Sequence, residues 1–120
     1  IIGRLVGSEM CIRDSPETGD LRKWYMHNTS HWIGLDVHDA GVYKPGGTPR
    51  VLEPGMCLTI EPGLYFGAWR PDVDCPERYA NIGIRIEDDV LITTDGPVVL
   101  TADCPKSIDD IENIVGQDLA

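Results

Sequence analysis

Basic residues are scarce in this 120-residue chain: ten lysines and arginines stand against twenty aspartates and glutamates, a formal net charge of −10. That balance argues against a nucleic-acid backbone as partner, because phosphate binding is built on clustered positive charge. It suits a cation gathered by carboxylates. Paired cysteines are absent as well, since those at 11, 57, 75 and 104 form no CxxC and no regular spacing. Neither a zinc ribbon nor a secreted disulfide framework is therefore expected, and the thiols are read as reduced, in a cytoplasmic protein. No apolar run approaches the roughly 18 residues of a membrane span, and nothing at the start has the charged, apolar and small-residue order of a signal peptide. Internal repeats and low-complexity tracts are lacking too. What remains is one modest domain, of a size that buries about two thirds of its unfolded surface.

The chain divides early. Residues 1–15, IIGRLVGSEMCIRDS, do not fit the rest of the chain, and Leu5 to Ser15 resembles the translation of the transposon-end adapter used to prepare sequencing libraries. They are set apart as adapter-derived, which leaves 16–120 as the folded part and Cys11 without functional meaning. Pro16 to Lys23 reads as a linker. Between Lys44 and Arg50 two prolines and two glycines mark a surface loop, and Glu53-Pro54-Gly55 has the proline and glycine of a type II turn. Met56 to Glu61 then alternates, with Met56, Leu58 and Ile60 on one face and Cys57, Thr59 and Glu61 on the other. Pro62-Gly63 interrupts that strand just after the carboxylate, and Leu64-Tyr65-Phe66 resumes it. Gly67 to Ala80 reads as a loop.

Ile82 to Glu87 alternates most cleanly, sending Ile82, Ile84 and Ile86 toward a core and Gly83, Arg85 and Glu87 to the opposite side. Val90 to Thr93 continues as an apolar strand closed by Asp95-Gly96-Pro97, and Val98 to Thr101 is expected as the last strand. Ser107 offers an N-cap, Asp109 and Asp110 fall in a first turn, and Ile108, Ile111 and Val115 make one stripe of a short helix.

Chemistry concentrates in His31 to Asp39, where two imidazoles and two carboxylates interleave with Trp32, Ile33, Leu35 and Val37. Polar groups set so tightly among apolar ones need solvent or specific partners, since a buried unpaired group costs about 1–3 kcal/mol. Imidazole and carboxylate suit a borderline to hard divalent ion. His27, four residues ahead of His31, makes a helical His pair conceivable, but Asn28-Thr29-Ser30 between them favours loop and strand. If the strands holding Glu61 and Glu87 pair, their carboxylates point into one space, where they repel unless a cation lies between them. Two such carboxylates are what a dinuclear centre with metals about 3.5–4 Å apart requires.

The segments MHNTSHWIGLDVHDAGVY, LEPGMCLTIEPGLYF and NIGIRIEDDVLIT resemble the C-terminal part of the Xaa-Pro aminopeptidases of the pita-bread metallopeptidase family, over about residues 20–115. The resemblance implies an α+β fold, the C-terminal half of a pita-bread fold with a curved antiparallel sheet and a short C-terminal helix. It implies a centre of two divalent metal ions, commonly Mn2+, held by two aspartates, one histidine and two glutamates. Position by position, His31 matches the histidine ligand, Glu61 the first glutamate and Glu87 the bridging one, while His38 matches a substrate-side histidine and His27 and Arg85 further active-site positions.

Both aspartates lie upstream in the family, and no motif here corresponds to them. The activity implied is metal-assisted release of the N-terminal residue from peptides with proline second, with Glu61 taking a proton, His38 stabilising the oxyanion and Arg85 orienting Glu87. The implied partner is such a peptide, with no nucleic acid and no membrane, and the full-length protein is expected to be a homo-oligomer. An Xaa-Pro dipeptidase or a non-catalytic pita-bread binding homologue shares much of this pattern.

Overall fold

The computed structural model describes residues 23–67, 72 and 74–117. The adapter reading of residues 1–15 and most of the linker lie outside them. Five strands and one helix follow in order: β1 Cys57–Ile60, β2 Gly63–Phe66, β3 Ile82–Arg85, β4 Asp88–Thr93, β5 Gly96–Val99 and α1 Ile108–Ile114. Every strand pairing is antiparallel, in a three-stranded sheet of order β1-β4-β5 and a two-stranded ribbon of β2 with β3.

These two sheets are one bent ribbon with a joint in it. Ile60 lies across from Asp88 on one side of the joint and Gly63 across from Arg85 on the other, so the register passes through unchanged. Glu61 is thereby set opposite Glu87, and Pro62 opposite Ile86. Pro62 has no N–H to give the ladder, and the joint is held by Ile86 N–H donating to the Pro62 carbonyl at 3.2 Å. Glu87 accordingly sits in the joint, two residues past the end of β3, and not within a strand running through Glu87 as the alternation suggests.

Local signals act as expected elsewhere. Gly55, at φ 93°, completes the Glu53–Met56 turn, with Met56 N–H donating to the Glu53 carbonyl at 3.1 Å. Thr93 and Gly96 face each other across a two-residue hairpin loop, and Pro97 sits on the edge strand, where a missing N–H is tolerated. That last strand lies two residues earlier than expected, ending at Val99, because Leu100 and Thr101 turn back to bond Asp89. Ser107 caps α1 by accepting from Asp110 N–H at 3.1 Å. Cys57, Cys75 and Cys104 are free thiols, and no described helix is long and apolar enough to cross a membrane.

The apolar core is small. Tyr25, Trp32, Leu58 and Val90 are its buried members, and Tyr43 stacks on the Trp32 ring with centroids 5.3 Å apart. Two expectations fail here. Ile82, Ile84 and Ile86 do not reach a core: they are 42%, 61% and 48% exposed, since no described element lies over that face of the ribbon. The stripe of α1 is likewise exposed at Ile108 and Ile111, and the helix stops at Ile114 so that Val115 is its C-cap. Alternation reports which side chains share a face; it does not supply the layer that covers them.

At the start of β4, Asp88 Oδ1 accepts from the Thr101 hydroxyl at 2.7 Å and from Lys106 Nζ at 3.0 Å, and Lys106 also donates to the Thr101 and Cys104 carbonyls. The Thr101 hydrogen bond, then the lysine, holds the Asp88 carboxyl below its ordinary 3.8. A depressed carboxyl stabilises the fold above its unfolded value and loses that contribution as pH falls through the folded one. Lys106→Met is therefore expected to cost about 1 kcal/mol at neutral pH. Urea unfolding of both proteins should show the gap closing as the pH is taken below 3.8; a gap independent of pH would mean that the lysine acts through packing and its carbonyl hydrogen bonds and not through Asp88.

Candidate metal centre

Residues 29–33 run antiparallel beside β1, although they form no regular strand. Glu61 N–H donates to the Thr29 carbonyl at 2.7 Å, Thr59 N–H to the His31 carbonyl at 3.0 Å and Ile33 N–H to the Cys57 carbonyl at 3.0 Å, with a bridge between Trp32 and Leu58. Three backbone segments thus lie side by side, carrying His31, Glu61 and Glu87 respectively. Alternation puts all three side chains on one face. One ligand atom from each lies within 4.8 Å of the others, which is the convergence a shared cation needs.

Each donor has a defined neighbour. His31 Nδ1 lies 3.0 Å from the Trp32 carbonyl, which can only accept, so Nδ1 donates there and Nε2 is the nitrogen left to bind a cation when the ring is neutral. That Nε2 is 3.2 Å from Glu61 Oε1. Glu61 is 6% exposed, a carboxylate placed in the core and surrounded by donors: the Thr59 hydroxyl at 2.9 Å on Oε1 and Arg85 Nη1 at 3.5 Å from Oε2. Arg85 therefore reaches across the joint to Glu61, not along its own segment to Glu87 as its position two residues away suggests. Glu87 is exposed.

Behind Arg85 stands Tyr65, which sequence reasoning passed over as one more strand aromatic. Its hydroxyl accepts from Arg85 Nε at 2.7 Å and lies 2.8 Å from His27 Nε2, while His27 Nδ1 donates to the Asn28 carbonyl. Bonding to Tyr65 first, and the charges of Glu61 and Glu87 after it, raise the Arg85 guanidinium above its ordinary value against the opposing effect of desolvation. A signal for Tyr65 did exist: Gly63 precedes it on the same face and Gly83 lies directly across. A Cβ at Gly63 would stand 2.6 Å from the Tyr65 hydroxyl and 2.9 Å from His27 Nε2, and one at Gly83 2.9 Å from the tyrosine ring. Glycines at both places let the ring lie over the sheet and reach Arg85. Gly63→Ala is expected to cost about 1–3 kcal/mol through overpacking. Chemical denaturation measures it, and an unchanged midpoint would show that the ring has room to move.

His38 comes back over His31 from the exposed loop beyond Trp32. Asp39 N–H donates to the Trp32 carbonyl at 3.1 Å, closing the loop, and a side chain on Gly34 would run into the Asp39 carboxylate. The two imidazoles meet edge to face with centroids 4.4 Å apart. His27, His31, His38, Tyr43, Glu61 and Arg85 line a cleft of about 360 Å³, within the usual size of a small-ligand site. All six residues singled out in the sequence thus gather at one place, three in the candidate ligand cluster and three around it.

Comparison with known proteins bears on the nature of this cleft. The sequence pattern of metallopeptidase family M24 matches residues 8–94. This chain belongs to metallopeptidase family M24. The M24 chain is 53% identical over 94 residues to the Xaa-Pro aminopeptidase of Escherichia coli (strain K12), a match covering 78% of this chain and 20% of that protein. Proline aminopeptidase P II from Yersinia pestis superposes with a TM-score of 0.67 at 54% identity, over 77% of this chain and 20% of that one. A Zn-substituted E. coli aminopeptidase P in complex with product superposes with a TM-score of 0.66 at 54% identity, over the same shares. The chain thus spans about one fifth of the length of these relatives. Its antiparallel sheets and short helix agree with the C-terminal part of a pita-bread α+β fold.

Proposed function

We propose that this M24 chain is the C-terminal portion of a metal-dependent aminopeptidase that releases the N-terminal residue from peptides with proline in the second position. The convergence of His31, Glu61 and Glu87 within 4.8 Å carries the reading. Its donor set, one neutral imidazole nitrogen and two carboxylates, fits divalent ions of borderline to hard character; on this reading there are two, manganese being the resemblance-based choice. Such ions supply Lewis acidity and a bound water that ionises near neutrality.

The chain's own residues do the rest. Glu61, buried and held by Thr59 and Arg85, is positioned to accept a proton from water. His38, exposed on its loop and facing the cleft, donates a hydrogen bond to the oxygen on which charge develops. Arg85 pairs with the Glu61 carboxylate and is itself held by Tyr65 and, through it, by His27. A cytoplasmic location and a homo-oligomeric complete protein belong to the same proposal.

The test uses the complete protein loaded with manganese, offered a tripeptide and a dipeptide that both carry proline second. Release of the first residue from the tripeptide is expected. Cleavage confined to the dipeptide would make it an Xaa-Pro dipeptidase, and binding without turnover of either would place it among the non-catalytic homologues.

A further inference from the structure

Thr59 is one of the two largest side chains in the described chain to be fully buried, at 1% exposure, and its neighbour in that respect is Leu58. Packing alone would be served by valine, which has the same branched shape and a higher preference for strands. The hydroxyl calls for its own explanation. Its oxygen accepts from His31 N–H at 3.0 Å, and its single proton goes to Glu61 Oε1 at 2.9 Å. Thr59 is also bound to His31 through the backbone, its N–H donating to the His31 carbonyl at 3.0 Å. One buried residue therefore touches the backbone of the imidazole donor on both sides and the side chain of the carboxylate donor.

The register explains why this position can do so. Thr59 lies across from His31 and two residues before Glu61, on the face that both donors share. Left to itself, a glutamate has three torsions to set and loses appreciable rotamer freedom when it is fixed. A hydrogen bond from a side chain that is itself immobile removes that freedom before any ion arrives. Glu61 Oε1 is then held at 3.2 Å from His31 Nε2, so the two donor atoms keep their spacing without help from a ligand.

We infer that Thr59 is a positioning residue of this centre: its hydroxyl locks the Glu61 carboxylate against His31 and so presets the donor geometry for a divalent cation. The inference rests on the reading of His31, Glu61 and Glu87 as metal ligands and goes one step beyond it. Support for a ligand by the hydrogen bonds around it is commonly worth 10- to 100-fold in metal affinity.

Two substitutions separate positioning from packing because they rank in opposite orders under the two roles. Thr59→Val keeps the shape and removes the hydroxyl; Thr59→Ser keeps the hydroxyl and removes a methyl. The complete protein and both variants are titrated with Mn2+ by calorimetry, and the visible absorption of bound Co2+ is recorded as a signature of ligand geometry. Positioning predicts that Thr59→Val weakens Mn2+ binding about 10- to 100-fold and alters the Co2+ spectrum, with Thr59→Ser staying within about threefold of the parent and keeping its spectrum. Parental affinity in Thr59→Val, or a loss in Thr59→Ser as large as in Thr59→Val, overturns the role. Should Thr59→Val fail to fold, Thr59→Ser still decides, since a loss of affinity there contradicts positioning and retention supports it. A parent that binds neither ion overturns the metal reading itself, an outcome distinct from tight parental binding that ignores the hydroxyl.

Discussion

Produced on its own, the 120-residue chain is expected to show no measurable hydrolysis of a peptide with proline in the second position, and to bind Mn2+ far more weakly than a complete relative does. Among its described residues it offers three convergent donors, His31, Glu61 and Glu87, whereas the centre implied by its sequence resemblance uses five. The register places the two glutamates opposite each other, so their charges repel across the joint. Arg85 offsets part of that repulsion at Glu61, but it adds positive charge of its own to the place where a cation would sit. Two further aspartates would supply the negative charge that holds a second ion, and with it part of the Lewis acidity that the implied centre brings to a bound water.

The fold points the same way. No described element covers the apolar face made by Ile82, Ile84 and Ile86, with Leu64 across from Ile84, and an open apolar face on a strand pair favours self-association. Three measurements on the purified chain decide the matter: turnover with manganese, calorimetric titration and light scattering. Turnover close to that of an intact relative would show that the upstream part is not needed and that counting donors misjudges the site.

In the complete protein, Glu87→Ala should empty the centre, whereas His38→Ala should leave the metal in place and lower kcat about 100- to 1,000-fold. The difference arises from where the two side chains lie. Glu87 occupies the joint directly across from Glu61 and offers one of the three clustered donor atoms, so its loss removes a ligand. His38 stands above His31 on an exposed loop and faces the cleft, where it can reach a substrate oxygen without belonging to the donor cluster. Because it would act on developing charge, its removal should fall on kcat more than on KM. Metal content by mass spectrometry, set beside steady-state kinetics, separates the two roles. Equal loss of metal from both variants would show that His38 is tied to the centre itself, and an unchanged kcat in His38→Ala would remove it from the chemistry.

Much of the local structure was legible in the sequence. The Glu53–Met56 turn, β1 and the Ser107 cap each depend on a few adjacent residues whose stereochemistry leaves little choice: proline presets one torsion, glycine accepts a positive one, and a serine hydroxyl satisfies a helix N–H. The residues of the candidate cluster were legible for another reason, since imidazole and carboxylate placed beside strand breaks are recognisable by type, and the resemblance to a known family singled out the three that the structure brings together.

Relations between segments were beyond the sequence. That Glu61 opposes Glu87 depends on a register carried unbroken through the Pro62 joint, and the strand pairing sets it across more than twenty intervening residues. Arg85 turns to Glu61 because it lies diagonally across that joint, and Tyr65 and Thr59 acquire their parts only from the segments laid beside them. The same cause explains the isoleucines of β3: alternation assigned them to one face, but burial needs a second layer, and a layer is contributed by some other part of a chain. Residue type and short spacing thus determined the turns, the cap and the kinds of donor, while register and the packing of distant segments decided which donors meet, what holds them and which apolar face stays open, because hydrogen-bond ladders and core contacts join residues that the order of the chain keeps apart.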